Sequence, residues 1–212
     1  MLSSFLITFR ETLEAALIIG IIFSYLSKIK QTKQYNVVYL GIIAGIAASL
    51  IGAYLLSKLS GGLDGTSHQI FEGTVTLIGA LLLVTMIIWM MRQKHMIKKL
   101  ENKIDQEVTS SKKLGLFSLV FVSILREGVE LVIFLSASGF SATTNSLLGA
   151  ITGILVAILM GYLIFIGAMK INMKIFFNVI GVILILFAVS LVIHGLNEFG
   201  EAGVISFELF ED

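Results

Sequence analysis

Apolar residues run along this chain in six long blocks separated by short polar breaks. The blocks fall at about 3–26, 35–56, 69–91, 114–137, 146–168 and 175–196. Each reaches the ~20 residues that a helix needs to cross a bilayer. They are too long and too continuous for strands, since a membrane barrel alternates in segments of ~10 residues. The pattern predicts an all-α integral membrane protein with six transmembrane helices. The first block has no basic stretch before it and no small-residue cleavage site after it. It is therefore expected to remain as a span rather than act as a cleavable signal.

The polar breaks predict orientation, because lysine and arginine stay on the cytoplasmic side. The break after block 1 holds Lys28, Lys30 and Lys33. The break after block 3 holds Arg92, Lys94, Lys98, Lys99, Lys103, Lys112 and Lys113. The break after block 5 holds Lys170 and Lys174. These are 12 of the 15 basic residues, and the opposite side has only Lys58. The N-terminus is thus expected outside, in a multi-pass protein of the cytoplasmic membrane. Residues 92–113 read as a cytoplasmic linker, a solvated helix supported by Lys98–Glu101 and Lys103–Glu107 pairs. Residues 199–212 read as an acidic outward tail.

Composition agrees and narrows the function. The chain is 57% hydrophobic and 14% charged, against roughly 25% charged for a soluble domain. Its formal net charge of +1 gives no case for a nucleic-acid partner. Without cysteine there is no disulfide, thiolate metal site or cysteine nucleophile. The last two basic residues, Arg10 and Arg126, lie inside apolar blocks.

Those two arginines begin a repeated motif. Block 1 contains Arg10-Glu11-Thr12-Leu13-Glu14 and block 4 contains Arg126-Glu127-Gly128-Val129-Glu130. Other features recur in order: Gly41 and Gly45 against Gly149 and Gly153, and Ile78-Gly79 against Ile180-Gly181. The chain therefore reads as a first three-helix repeat over 1–91 and a second over 114–198. Three spans is an odd number, so the second repeat is inverted, a common transporter architecture with its site at the repeat interface. The glycine pairs have the spacing that lets membrane helices approach closely.

Each charge at a helix centre costs about 2.5–3.5 kcal/mol even on the lenient insertion scale. Packing alone does not require such groups. At about 100° per residue, each motif's Arg and two Glu fall on one helical face. Four carboxylates and two guanidiniums then sum to −2. Carboxylate oxygens are hard ligands and suit a hard cation. One Arg neutralises one Glu in each motif, and the second Glu needs another partner. Helix locking by these salt bridges, in a structural or sensory membrane protein, is the competing reading. An intramembrane metalloenzyme is disfavoured, because it needs histidines deep in the membrane. No enzymatic activity and no cofactor are expected.

The paired Arg-Glu-x-x-Glu motifs, with Phe71-Glu72-Gly73 and Trp89-Met90 in block 3, resemble the oxidase-dependent iron permeases of fungi and the EfeU-type permeases of bacteria. His194-Gly195-Leu196-Asn197-Glu198 with Gly200 resembles the end of that family's sixth span. The resemblance implies transport of iron as Fe³⁺, supplied by a separate iron-oxidising protein on the outer side. It implies that Glu11, Glu14, Glu127 and Glu130 bind the ion beside Arg10 and Arg126. A carrier of divalent cations such as Fe²⁺ or Mn²⁺ is the alternative within transport. The family usually has a seventh span, so a short member or a truncated chain is expected. Self-association of the subunit in the bilayer is a further expectation.

Lesser features divide between entry and packing. His194, Glu198 and Glu201 share one face at the end of block 6, and Glu72 lies at the outer end of block 3. These four are candidates for an entry site. Met86 and Met90 read as packing. His68 and His95 read as solvated loop residues.

Overall fold

The structure is a computed structural model that describes residues 1–92, 113–138, 144–165 and 173–204. The described residues form six long helices: α1 (Leu2–Lys28), α2 (Tyr35–Ser60), α3 (Thr66–Arg92), α4 (Lys113–Ala137), α5 (Thr144–Phe165) and α6 (Met173–Glu201). Each apolar block lies largely within one of them. Most of the predicted linker, with His95, lies outside the described residues, as do the end of the acidic tail and Lys170. Two differences matter for the site. The first turn of α3 is polar, so the helix starts earlier than the apolar block, and α6 runs on to Glu201.

Helix ends follow local chemistry. α1 closes with Lys30 in the left-handed region at φ 57°, Lys30 N–H donating to Ser27 O and Gln31 N–H to Leu26 O. α6 closes the same way, with Gly203 at φ 71° and Val204 N–H donating to Phe199 O. In both, the left-handed residue turns the chain so that the last carbonyls regain donors.

Among the described residues, four stretches are long and apolar enough to cross a membrane: 32–60, 66–88, 144–165 and 184–201. They lie on α2, α3, α5 and α6. α1 and α4 are equally long but carry the charged motifs through their centres. Large apolar side chains such as Leu40, Ile43, Leu50, Leu155 and Leu159 stand exposed along α2 and α5. A soluble monomer rarely displays such continuous apolar faces. The protein is a multi-pass membrane protein.

The chain forms two compact units. The first comprises Met1–Ile51, Gln93–Leu131 and Ser141–Ile171. In it α1 packs on α5 along a buried stripe of Gly149, Gly153, Ala157 and Gly161. A Cβ at Gly153 would collide with Thr8 Oγ1 and stand 2.6 Å from Phe5 O. α2 meets α4 in the same manner. A Cβ at Gly41 would stand 2.9 Å from Val120, and one at Gly45 2.8 Å from Ile124. Ile22, Leu26, Val38, Leu116, Val120 and Ile124 close one end of this unit. Lipid tails are as apolar as these side chains, so close dispersion contact holds the helices together.

The second unit comprises Gly52–Arg92, Val132–Phe140 and Asn172–Asp212. Here α3 packs on α6. The backbones approach where Gly73 faces Gly195: a Cβ on Gly73 would lie 3.1 Å from Gly195 O. Thr76, Ala80, Leu83 and Met86 on α3, and Leu184, Ala188 and Leu191 on α6, are buried. Met86 is thus a packing residue, as its place in an apolar helix predicts.

Candidate metal site

Both Arg-Glu-x-x-Glu motifs lie in the first unit, on α1 and α4. On α1, Arg10 donates to Glu11 Oε1, and its Nη2 stands 3.1 Å from Glu14 Oε1. Arg10 and Glu11 are each only 2% exposed. On α4, Arg126 Nε donates to Glu130 Oε1 at 2.8 Å, one helical turn away. Arg126 is 48% exposed, whereas Glu127 and Glu130 are buried. The i,i+4 spacing produces both long-range motif pairs, as the helical repeat requires.

The two motifs meet. One carboxylate oxygen from each of Glu11, Glu127 and Glu130 lies within 4.8 Å of the other two. Two oxygens on opposite sides of a hard cation, bound at ~2.0–2.6 Å, stand about 4–5 Å apart. Oε2 of Glu11, of Glu127 and of Glu130 is in each case buried without a hydrogen-bond partner. A buried acceptor left unsatisfied is costly, and far more so when it is charged. Three carboxylates converging in this way offer a set of hard oxygen donors that a cation could bind. Glu14 falls outside the triad; its Oε1 stands 3.1 Å from Arg10 Nη2 and is likewise buried without a hydrogen-bond partner.

Gly128, inside the second motif, makes room for α2. A Cβ there would collide with Ser49 of α2, whose Oγ donates to Gly45 O at 2.8 Å. The close passage of α2 beside the second motif thus depends on a motif position that carries no charge. Its only signal in the sequence is the glycine itself.

The entry-site candidates lie in the second unit, at the start of α3 and the end of α6. Glu72, His194 and Glu198 offer ligand atoms within 4.8 Å of one another. His194 Nε2 lies 3.9 Å from Glu72 Oε1 and 3.8 Å from Glu198 Oε1. Glu201 stands apart, where Gln69 Nε2 donates to its Oε2 at 3.4 Å. His68 is not a loop residue, although its side chain is 43% exposed. It sits in the first turn of α3, 3.5 Å from Glu72 Oε2, with Nδ1 3.3 Å from Ser60 O. The sequence signal for this placement is its i,i+4 spacing to Glu72.

Comparison with known proteins places these geometries in context. The profile of the iron permease FTR1 family matches residues 1–207. The ferrous iron permease EfeU of Yersinia pestis is 32% identical over 208 residues, covering 94% of this chain and 72% of that protein. The ferrous iron permease EfeU of Escherichia coli O6:H1 is 31% identical over 205 residues, 94% of this chain and 74% of that protein. An uncharacterized protein of Archaeoglobus fulgidus is 31% identical over 211 residues, covering 100% of this chain and 74% of that protein. No solved structure matches significantly.

Proposed function

Since the chain belongs to the iron permease FTR1 family, we propose that it imports iron across the cytoplasmic membrane through the carboxylates of its two Arg-Glu-x-x-Glu motifs. The observation that carries this reading is the buried convergence of Glu11, Glu127 and Glu130, each with an unsatisfied oxygen. Arg10 and Arg126 limit the repulsion among the carboxylates while the ion is absent. Arrival of a cation supplies the missing partner and frees the site to change shape.

Six spans arranged as an inverted 3+3 repeat, with the N-terminus outside, form the framework of this reading. Helix register supports the repeat. Thr8 stands two residues before the motif arginine of α1, and Ile124 two before that of α4. Thr8 meets Gly153, the second glycine of the pair on α5, and Ile124 meets Gly45, the second of the pair on α2. The basic residues of the odd-numbered links support the orientation.

Three carboxylate ligands without nitrogen or sulfur favour the harder ion, Fe³⁺, received from a separate iron-oxidising partner on the outer side. The names of the bacterial relatives, ferrous iron permeases, favour a second reading in which Fe²⁺ is the species taken up. Radio-iron uptake by cells making wild-type chain or Glu127→Gln tests the transport role, with membrane levels matched by immunoblot. Uptake by the variant should fall to background; undiminished uptake would refute the site. Uptake under strict reducing conditions separates the oxidation states. Equal uptake with and without an oxidant would remove the ferric reading.

A further inference from the structure

We infer that Glu72, His194 and Glu198 form a second metal site that takes a divalent first-row cation, with His68 as its positioning residue. The three ligand atoms come from two helices and converge within 4.8 Å. Two are carboxylate oxygens and one is an imidazole nitrogen. That mixed set suits Fe²⁺ or Mn²⁺ and differs in kind from the all-carboxylate triad between α1 and α4. Ligands on adjacent corners around a cation at ~2.1 Å stand about 3–3.5 Å apart. The observed separations of 3.8 and 3.9 Å from His194 Nε2 are slightly wider. Rotation of partly exposed carboxylate tips closes that gap.

The surroundings of Glu72 point the same way. Its Oε1 faces His194 and its Oε2 faces His68. His68 Nδ1 lies 3.3 Å from Ser60 O and its Nε2 3.5 Å from Glu72 Oε2, so with hydrogens on both ring nitrogens it links a backbone carbonyl to the carboxylate. Outer-shell contacts of this kind fix the orientation of metal-binding side chains. The backbone is equally specialised: Gly73 and Gly195, next in sequence to Glu72 and His194, allow the two helices close enough for the ligands to meet.

The role of this site as the first station for incoming iron rests on the Fe²⁺ form of the transport reading above; the binding itself does not. Mn²⁺ is the probe, followed by electron paramagnetic resonance on the untagged, detergent-solubilised full chain. Nitrogen coupling to the bound ion reports histidine ligation. The Glu11→Gln/Glu127→Gln variant should retain one nitrogen-coupled Mn²⁺ per chain. His194→Gln should lose the coupling. Glu72→Gln should weaken binding about 10-fold or more, and Glu198→Asp, which keeps the charge, by less. His68→Gln should weaken binding several-fold yet keep the coupling, as a positioning residue does. Circular dichroism checks that each variant remains folded. Bound Mn²⁺ without nitrogen coupling, or coupling unchanged in His194→Gln, would overturn the site. Wild-type uptake by the Glu11→Gln/Glu127→Gln variant would instead overturn the transport reading and leave this binding result standing.

Discussion

The two Arg-Glu-x-x-Glu motifs share a pattern but not an environment. Arg10 is almost fully enclosed and engages both glutamates of its own helix. Arg126 is about half exposed and forms its ion pair with Glu130. Each motif carries one cation and two carboxylates, but the α1 arginine is enclosed between both of its glutamates. α4 supplies two members of the carboxylate triad, and α1 supplies one. A repeated motif thus specifies a helical face and a set of charges. What surrounds that face decides which carboxylates are left to bind.

This asymmetry ranks the glutamates. On the proposed reading, loss of a triad member removes a ligand, while loss of Glu14 removes a partner of Arg10. Glu127→Gln should reduce iron uptake by at least ~100-fold, beyond the ~10–100-fold typical of losing an outer-shell group. Glu14→Gln should fall within that smaller range. Radio-iron uptake at matched protein levels measures both. Equal losses would show that the four glutamates act alike and would dissolve the distinction between the motifs.

The arginines should differ in stability rather than in direction. Arg10→Met leaves Glu11 and Glu14 buried beside no cation of their own helix, and removing one partner of a buried pair costs about 3–5 kcal/mol. Arg126→Met removes the half-exposed partner of a buried Glu130, so it should cost less than Arg10→Met but more than the about 0–1 kcal/mol of a fully exposed pair. Thermal unfolding in detergent should show a clearly lower midpoint for the first and a smaller change for the second. Similar midpoints would mean that the burial of Arg10 has no energetic weight.

Much of this arrangement is legible in the sequence. Apolar block length locates the helices, because bilayer thickness sets it. Helical spacing alone puts Arg10, Glu11 and Glu14 on one face. The asymmetry between Arg10 and Arg126 is not legible, since it depends on what other helices place over each side chain. His68 escapes for a different reason. Hydropathy marks the apolar part of a span, and the first turn of α3 (Thr66, Ser67, His68) is polar, so it reads as loop. Glu201 shows the converse: it shares a helical face with His194 and Glu198, but its hydrogen-bond partner is Gln69.

The smallest expected effects test whether the two motif helices are held equally firmly. A methyl group added at Gly153 would meet backbone atoms of α1, with Phe5 O at 2.6 Å and Phe9 N at 3.0 Å. One added at Gly45 would meet the Ile124 side chain, with Cβ at 2.8 Å and Cγ2 at 2.9 Å. Overpacking of this kind costs about 1–3 kcal/mol. Gly153→Ala should lie at the upper end, because a backbone yields only if the whole helix shifts. Gly45→Ala should lie lower, since its contacts, Ile124 Cβ at 2.8 Å and Phe121 O at 3.2 Å, are longer than those at Gly153, although an isoleucine Cβ moves only with its backbone. Gly52→Ala is the control. Its new methyl meets nothing within 4 Å, and alanine in place of helical glycine is favourable by up to ~1 kcal/mol. Unfolding midpoints should therefore fall in the order Gly52→Ala, wild type, Gly45→Ala, Gly153→Ala. If Gly45→Ala were the more damaging, α4 rather than α1 would be the more rigidly seated motif helix. The α1 motif would then no longer be the fixed half of the proposed site.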